Sequence, residues 1–538
     1  MYPDLGEYFA RREQLVSEDR KQRLDARTSN KVVDEVEGKA DRLVRAIRAQ
    51  EARNIWGPDS NVEVDNDTHL FPGMAFLTAR EIITKTQLFK IMSRLPKGAL
   101  LHAHLDATVN VEVLLRLALR HPAIHVRTPK VLTANSIGSI QPEFRALRRS
   151  EWDSASSVTA LSYIPGEWVP LRVARQNFDP TLGGPEGFDK WLTSAITISP
   201  AEAYRTHNTT QKIWQKFQST FHTAGPLILY LPVWKDYVRE FFRSSIDDGI
   251  SYLEVRINFL HRYIFNEAGE EIVTHSTLLG EYDRILNEVK EEMRQQGRED
   301  EFIGSKIIYS TIRFIPPDEL QWYLDDCITL KQKFPHLIAG FDLVGHEDAL
   351  RPLTDYLEPL TKFVERQKEL GIEIPFIFHA GETLGDGTNA DNNLYDAILL
   401  GTKRIGHGFS LIKHPKLMEI CKEGGIAVEV CPISNEILRL TSSMPMHPLP
   451  ALINHGVPVS LCSDDPAVFG NMGLSFDFFQ VLVASEVSGL ITMKELARRS
   501  FKYSSLDENE KQLAVLSWDK QWKKFLQWLE QEYPALEA

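Results

Sequence analysis

Eight short apolar runs, most of them ending in polar side chains, limit the folds open to this chain. They are ALLHAHLD from Ala99, SYLEVRI from Ser251, KIIYSTIRF from Lys306, LIAGFDLVG from Leu337, PFIFHAGE from Pro375, RIGHG from Arg404, IAVEVCPISN from Ile426 and PVSLCSDDP from Pro458. Most are separated by helix-like patterns such as PLTDYLEPLTKFVERQKEL and HPKLMEICKEG. Apolar strands alternating with helices predict a parallel sheet covered by helices. Eight of them, several with His, Asp, Glu or Gly at the C-terminal end, predict an α/β fold of the closed (β/α)8 TIM-barrel kind, with its chemistry on the face that carries those ends. An open doubly wound sheet is the competing fold, but no GxGxxG follows an early strand.

At 538 residues the chain has room for two or three domains, or for one large barrel with additions. Residues 1–92 read as an N-terminal helical extension in which Val33, Val36, Ala40, Leu43, Val44 and Ile47 share one side of a 3.6-residue period, interrupted at Glu51. Such a helix packs on the main domain or meets a partner subunit. The barrel is expected to begin over 93–125, to be interrupted by a lobe over 126–190 beside the active face, and to resume over 191–505. A helical tail over 506–538 is expected to follow.

The formal net charge of -13 gives no general attraction to nucleic acid or to an acidic membrane, so neither is expected as a partner. The opening MYPDLGEYFARREQLVSEDRKQR is charged where a secretory signal needs an apolar stretch, and no run of 18 uncharged apolar residues occurs elsewhere. The expectation is a cytoplasmic protein, with secretion the alternative. Cys327, Cys421, Cys431 and Cys462 lie singly in apolar segments without a CxxC pair and read as buried thiols.

Chemistry concentrates at the strand ends. His102 and His104 are one residue apart, and period-two alternation points both side chains the same way, as two ligands of one ion require. His379 and Asp464 end two later strands, and three imidazoles with one carboxylate suit a catalytic zinc ion that activates a water; iron, cobalt and manganese remain open. Glu382, three residues after His379, reads as a proton donor, and His407 as a group that activates or orients the water opposite it. Of the neighbours Asp464 and Asp465, one can bind metal while the other contacts substrate. Asp106 is a candidate for a polar substrate group, and the Gly345 backbone for a close approach to a ring. The LGDG that follows Glu382-Thr383 is expected to border the substrate entrance as a flexible segment.

Together, KGALLHAHLDA, FHAGE, RIGHGFSL, EVCPISNE and SDDPAVFG resemble the adenosine deaminase family of metal-dependent amidohydrolases. The stretch FPGMAFLTAREIITKTQLFKIMSRLPKGALLHAHL, with the long extension and the lobe after strand one, looks like its growth factor branch. The resemblance implies a zinc-dependent hydrolase that converts adenosine, and 2′-deoxyadenosine, to inosine and ammonia. It implies His102, His104, His379 and Asp464 as zinc ligands, with Asp464 and His407 serving catalysis at an activated water. Glu382 would protonate purine N1, Asp465 would bond N7, the Gly345 backbone would meet N3, and Asp106 would bond the ribose. The branch has its aspartate directly after the second histidine, whereas Leu105 intervenes here. Sugar recognition there also draws on the lobe, where Glu167 and Trp168 are the tempting residues. A homodimer through the N-terminal helices is implied as well. The rival readings are deamination of AMP, ADP or ATP by the same chemistry, and a nonenzymatic growth-signalling or binding protein.

Overall fold

All eight apolar runs form strands of one barrel. The computed structural model describes residues 4–26, 34–57, 60, 69–152 and 157–534. The barrel strands are β1 (Gly98–Leu100), β2 (Ile250–Asn258), β3 (Gly304–Ile312), β4 (Ile338–Val344), β5 (Ile377–Ala380), β6 (Arg404–His407), β7 (Ala427–Val430) and β8 (Val459–Leu461). β1 to β4 pair in sequence order as one parallel sheet and β5 to β8 as a second. Two parallel bridges, Phe341 with Phe376 and Ala103 with Asp464, join the sheets along both seams and close the ring. Nearly every strand residue is buried, which is why these segments read as unbroken apolar runs and not as alternating ones.

The additions surround this ring. Helix α1 (Leu5–Arg20) buries no residue. Helix α2 (Glu35–Asn54) buries Ala40, Val44 and Ile47 of the expected stripe and leaves Val36 exposed, while Val33 lies outside the described residues. Glu51 breaks the stripe because its carboxylate caps a neighbouring helix. Its Oε1 accepts from the backbone N–H groups of Gln87 and Leu88, the first residues of the helix Gln87–Arg94. After β1 the chain makes a small antiparallel sheet whose central strand, Ile124–Arg127, pairs with Glu143–Ala146 and Val169–Pro170. Helices α3 (Thr210–Ile228) and α4 (Leu231–Asp247) then lead into β2, and a long C-terminal helix, α5 (Glu508–Glu532), packs against α2. Among the described residues no helix is long and apolar enough to cross a membrane. All four cysteines are buried free thiols.

Candidate active site

The seam between β1 and β8 gathers the first three candidate ligands. His104 N–H donates to Asp464 O at 3.1 Å and Asp464 N–H to His102 O at 3.2 Å, so the backbone pairing that closes the barrel also brings these side chains together. Asp464 Oδ1 lies 3.2 Å from His102 Nε2 and 3.3 Å from His104 Nε2. His379 reaches the same point from β5, and one ligand atom from each of His102, His104, His379 and Asp464 lies within 4.8 Å of the others. Gly406 permits this crowding, since a Cβ there would stand 3.0 Å from the His102 ring and 3.3 Å from His379 Cα. His102 Nε2 and Asp464 Oδ1 are buried without a hydrogen-bond partner, a costly state for polar atoms unless an ion takes their lone pairs.

The imidazoles are aimed by charges that carry no motif in the sequence. His102 Nδ1 donates to Glu429 Oε2 at 2.8 Å, and His379 Nδ1 to Asp342 Oδ2 at 2.6 Å. Each proton is thereby held on Nδ1, and each Nε2 is left as a bare lone pair. Arg256 ties the two carboxylates together, donating to Asp342 at 2.7 Å and to Glu429 at 2.8 Å, and Arg404 continues the chain from Glu429 to Glu254. Glu254, Arg256, Asp342, Arg404 and Glu429 are all buried, and their opposite charges compensate one another inside the barrel. A second group of possible ligands, His102, His407, Cys431 and Asp464, shares two members with the first. Burial pushes the Cys431 thiol well above its ordinary pKa.

Around the ligands stand the other expected residues. His407 ends β6 with Nε2 3.9 Å from Asp464 Oδ2 and Nδ1 3.6 Å from Glu382 Oε1. Glu382 is buried, and its backbone N–H donates to Glu347 Oε1 at 2.8 Å, which holds the turn after β5 in place. Burial, then the carboxylates of Asp464 and Glu347, raise the Glu382 pKa well above the usual carboxylate range, which favours the protonated form. Burial and Asp464 do the same to Asp465. The LGDG segment is tied down, with Lys413 donating to the carbonyls of Leu384 and Gly385, and Gly387 N–H to Asp391 at 2.7 Å.

His104, His379, Glu382, His407, Asp464 and Asp465 open onto one cavity of about 550 Å³, lined also by Asp106 and Gly345, whereas His102 and the LGDG segment are not among its lining residues. Gly345 has φ +114°, a backbone conformation that favours glycine, and a Cβ there would meet Leu350 at 2.8 Å. Glu167 and Trp168 are not among the lining residues. Sequence reasoning missed the wall opposite the ligands: α3 contributes Trp214, Phe217, Gln218, Phe221, His222, Gly225 and Ile228, one helical face at three- and four-residue spacing. The Trp214 ring stacks on His346 at 4.3 Å, beside Gly345. The spacing is visible in TQKIWQKFQSTFHTAGPLI, but an aromatic stripe facing a cavity and one facing a core read alike.

The adenosine deaminase family pattern matches residues 195–518. Human "Adenosine deaminase 2" is 35% identical to this chain over 457 residues, covering 85% of this chain and 83% of the relative. The fold superposes on an adenine deaminase from Arthrobacter aurescens with a TM-score of 0.52 at 19% identity, covering 80% of this chain and 99% of the other. It also superposes on an amidohydrolase from Burkhoderia ambifaria with bound Zn, with a TM-score of 0.51 at 15% identity over 82% of this chain and 95% of the other.

Proposed function

The chain belongs to the adenosine deaminase family and is an enzyme, and we propose that its reaction is the hydrolysis of adenosine, and of 2′-deoxyadenosine, to inosine and ammonia. One observation carries the choice of a nucleoside over a nucleotide. Among the described residues the cavity is lined by four acidic side chains, Asp106, Glu382, Asp464 and Asp465, and by no Lys or Arg. A phosphoryl group would add a charge of about −1.5 to −2 at neutral pH with no lysine or arginine to meet it. A neutral sugar meets no such penalty.

In this reading His102, His104, His379 and Asp464 hold one divalent ion, with zinc favoured by three imidazoles and a carboxylate. When bound, the ion supplies a water acidic enough to serve as a nucleophile near neutral pH. Glu382, whose raised pKa favours the protonated form, gives its proton to purine N1 while the water oxygen adds at C6, so negative charge does not build up on the ring. Asp465, whose raised pKa likewise favours the protonated form, donates its O–H to N7, the Gly345 N–H meets N3, and Asp106 takes a sugar hydroxyl. His407 orients the water on the face opposite Glu382. The C6–N bond then breaks: of the two water protons, one restores the Glu382 carboxyl and the other goes to the departing amino group, ammonia leaves, and the C6 carbonyl of inosine remains.

Time-resolved product analysis of adenosine, deoxyadenosine, AMP and ATP on one preparation tests this. We expect ammonia and inosine-type products from the two nucleosides, with the nucleotides disfavoured. A preference for AMP or ATP would sink the nucleoside assignment and leave the chemistry standing. Glu382→Gln is expected to lower kcat by roughly 10²- to 10⁴-fold, and an unchanged rate would remove Glu382 from its role.

A further inference from the structure

The three imidazoles around Asp464 that end barrel strands differ in what faces Nδ1. For His102 and His379 it is a carboxylate, whereas His407 Nδ1 faces the side-chain amide of Asn435 at 3.2 Å. An amide can present either its oxygen or its nitrogen, and the two choices put the His407 proton on opposite ring nitrogens. The choice is settled two residues away. Leu449 N–H donates to His447 Nδ1 at 3.0 Å, and a backbone N–H can only donate, so His447 Nδ1 is bare. Burial drives the His447 pKa down to about 3, so the ring is neutral and its single proton sits on Nε2. That proton is donated to Asn435 Oδ1 at 3.0 Å. The Asn435 Nδ2 then points at His407 Nδ1 and makes it an acceptor. Glu382 Oε1, 3.6 Å from the same nitrogen, is too far to compete.

We propose that Asn435 and His447 are positioning residues that relay the polarity of the Leu449 backbone N–H to His407, fixing its proton on Nε2 so that it presents a hydrogen-bond donor to the reacting water. His407 then holds the water oxygen by donation and does not take its proton. Asn435 and His447 are both buried, and neither lines the cavity, so their effect on the reaction passes through His407. The catalytic consequence rests on the deaminase reading, whereas the tautomer does not.

The test uses the full-length enzyme as purified, labelled with ¹⁵N-histidine, and a long-range ¹H–¹⁵N spectrum that separates protonated from bare ring nitrogens. The His407 signals are those absent from a His407→Gln spectrum. Wild type is expected to carry the proton on Nε2, and so is His447→Gln, which keeps a donor facing Asn435. Asn435→Asp puts an acceptor against Nδ1 and should move the proton there. It should also lower kcat by about 10- to 100-fold at unchanged metal content, with KM within about threefold of wild type. His447→Phe, which frees the Asn435 amide to turn over, should share much of that loss, and His447→Gln should recover most of it. A wild-type His407 protonated on Nδ1 overturns the relay. An Asn435→Asp enzyme with a moved proton and an unchanged kcat overturns its role in the reaction. A wild type with the expected tautomer that deaminates no adenine nucleoside leaves the relay in place and removes the deaminase reading.

Discussion

At the scale of single residues the site is held in unfavourable backbone. His407 and Asp464 both adopt positive φ, +59° and +60°, in a region that costs a non-glycine residue about 1–3 kcal/mol. Each sits where a strand gives way to a loop, and each turn swings a side chain toward the ligand cluster. The supporting charges are as local in their effect. Asp342 Oδ2 receives the His379 Nδ1 proton and its Oδ1 the His379 backbone N–H, so one carboxylate orients both the ring and the chain that carries it. Asp342→Asn is expected to weaken metal retention about 10- to 100-fold, measured as metal remaining against a competing chelator. Unchanged retention would show that His379 needs no such partner. The motifs HAH, HAGE, GHG and SDD disclose the residues that face the cavity, because clustered His and Asp at strand ends have few other uses. Asp342, Glu429 and Arg256 are not disclosed, since a lone charge within an apolar strand does not reveal that an opposite charge waits on the next one.

Among the elements, the N-terminal helix α2 shows how a polar break in a stripe can serve packing. Glu51 is buried and caps a neighbouring helix through two backbone N–H groups, yet burial still raises its pKa to about 6. A folded pKa above the unfolded value means that the folded protein binds this proton more tightly. The contribution is therefore full below the ordinary carboxyl range and is lost as pH rises through about 6. A shift from 4.5 to about 6 corresponds to about 2 kcal/mol. Glu51→Gln keeps an oxygen for both N–H groups and does not ionise. It should gain up to about 2 kcal/mol relative to wild type between pH 4 and pH 7.5, read from paired unfolding curves. A difference independent of pH would mean that folding leaves the Glu51 pKa unchanged. The barrel strands are legible because burial on both sides makes them continuous apolar runs. The sheet after β1 is not, since its strands are four, four and two residues long and the pairing of Val126 with Phe144 and Val169 spans segments of irregular chain.

For the whole molecule, the count and order of strands announce a barrel, but nothing in the order says which residues meet at its seams. Closure places His102, His104 and Asp464 together although 360 positions of chain separate the last two, and α3 lines the cavity beside them. The surface left over carries the last expectation. Helix α1 buries nothing of its own chain, yet Leu5, Tyr8, Phe9 and Leu15 stand exposed along one side at helical spacing. We expect a second copy of the chain to cover that stripe, because a two-fold pairing presents the same apolar face from both partners. Sedimentation at micromolar concentration should then give a dimer for wild type. The triple substitution Leu5→Ser, Phe9→Ser, Leu15→Ser should give a monomer, with deaminase activity kept because α1 supplies no residue to the cavity. A wild type that sediments as a monomer would leave the stripe without this partner. A triple variant that remains dimeric would move the interface elsewhere.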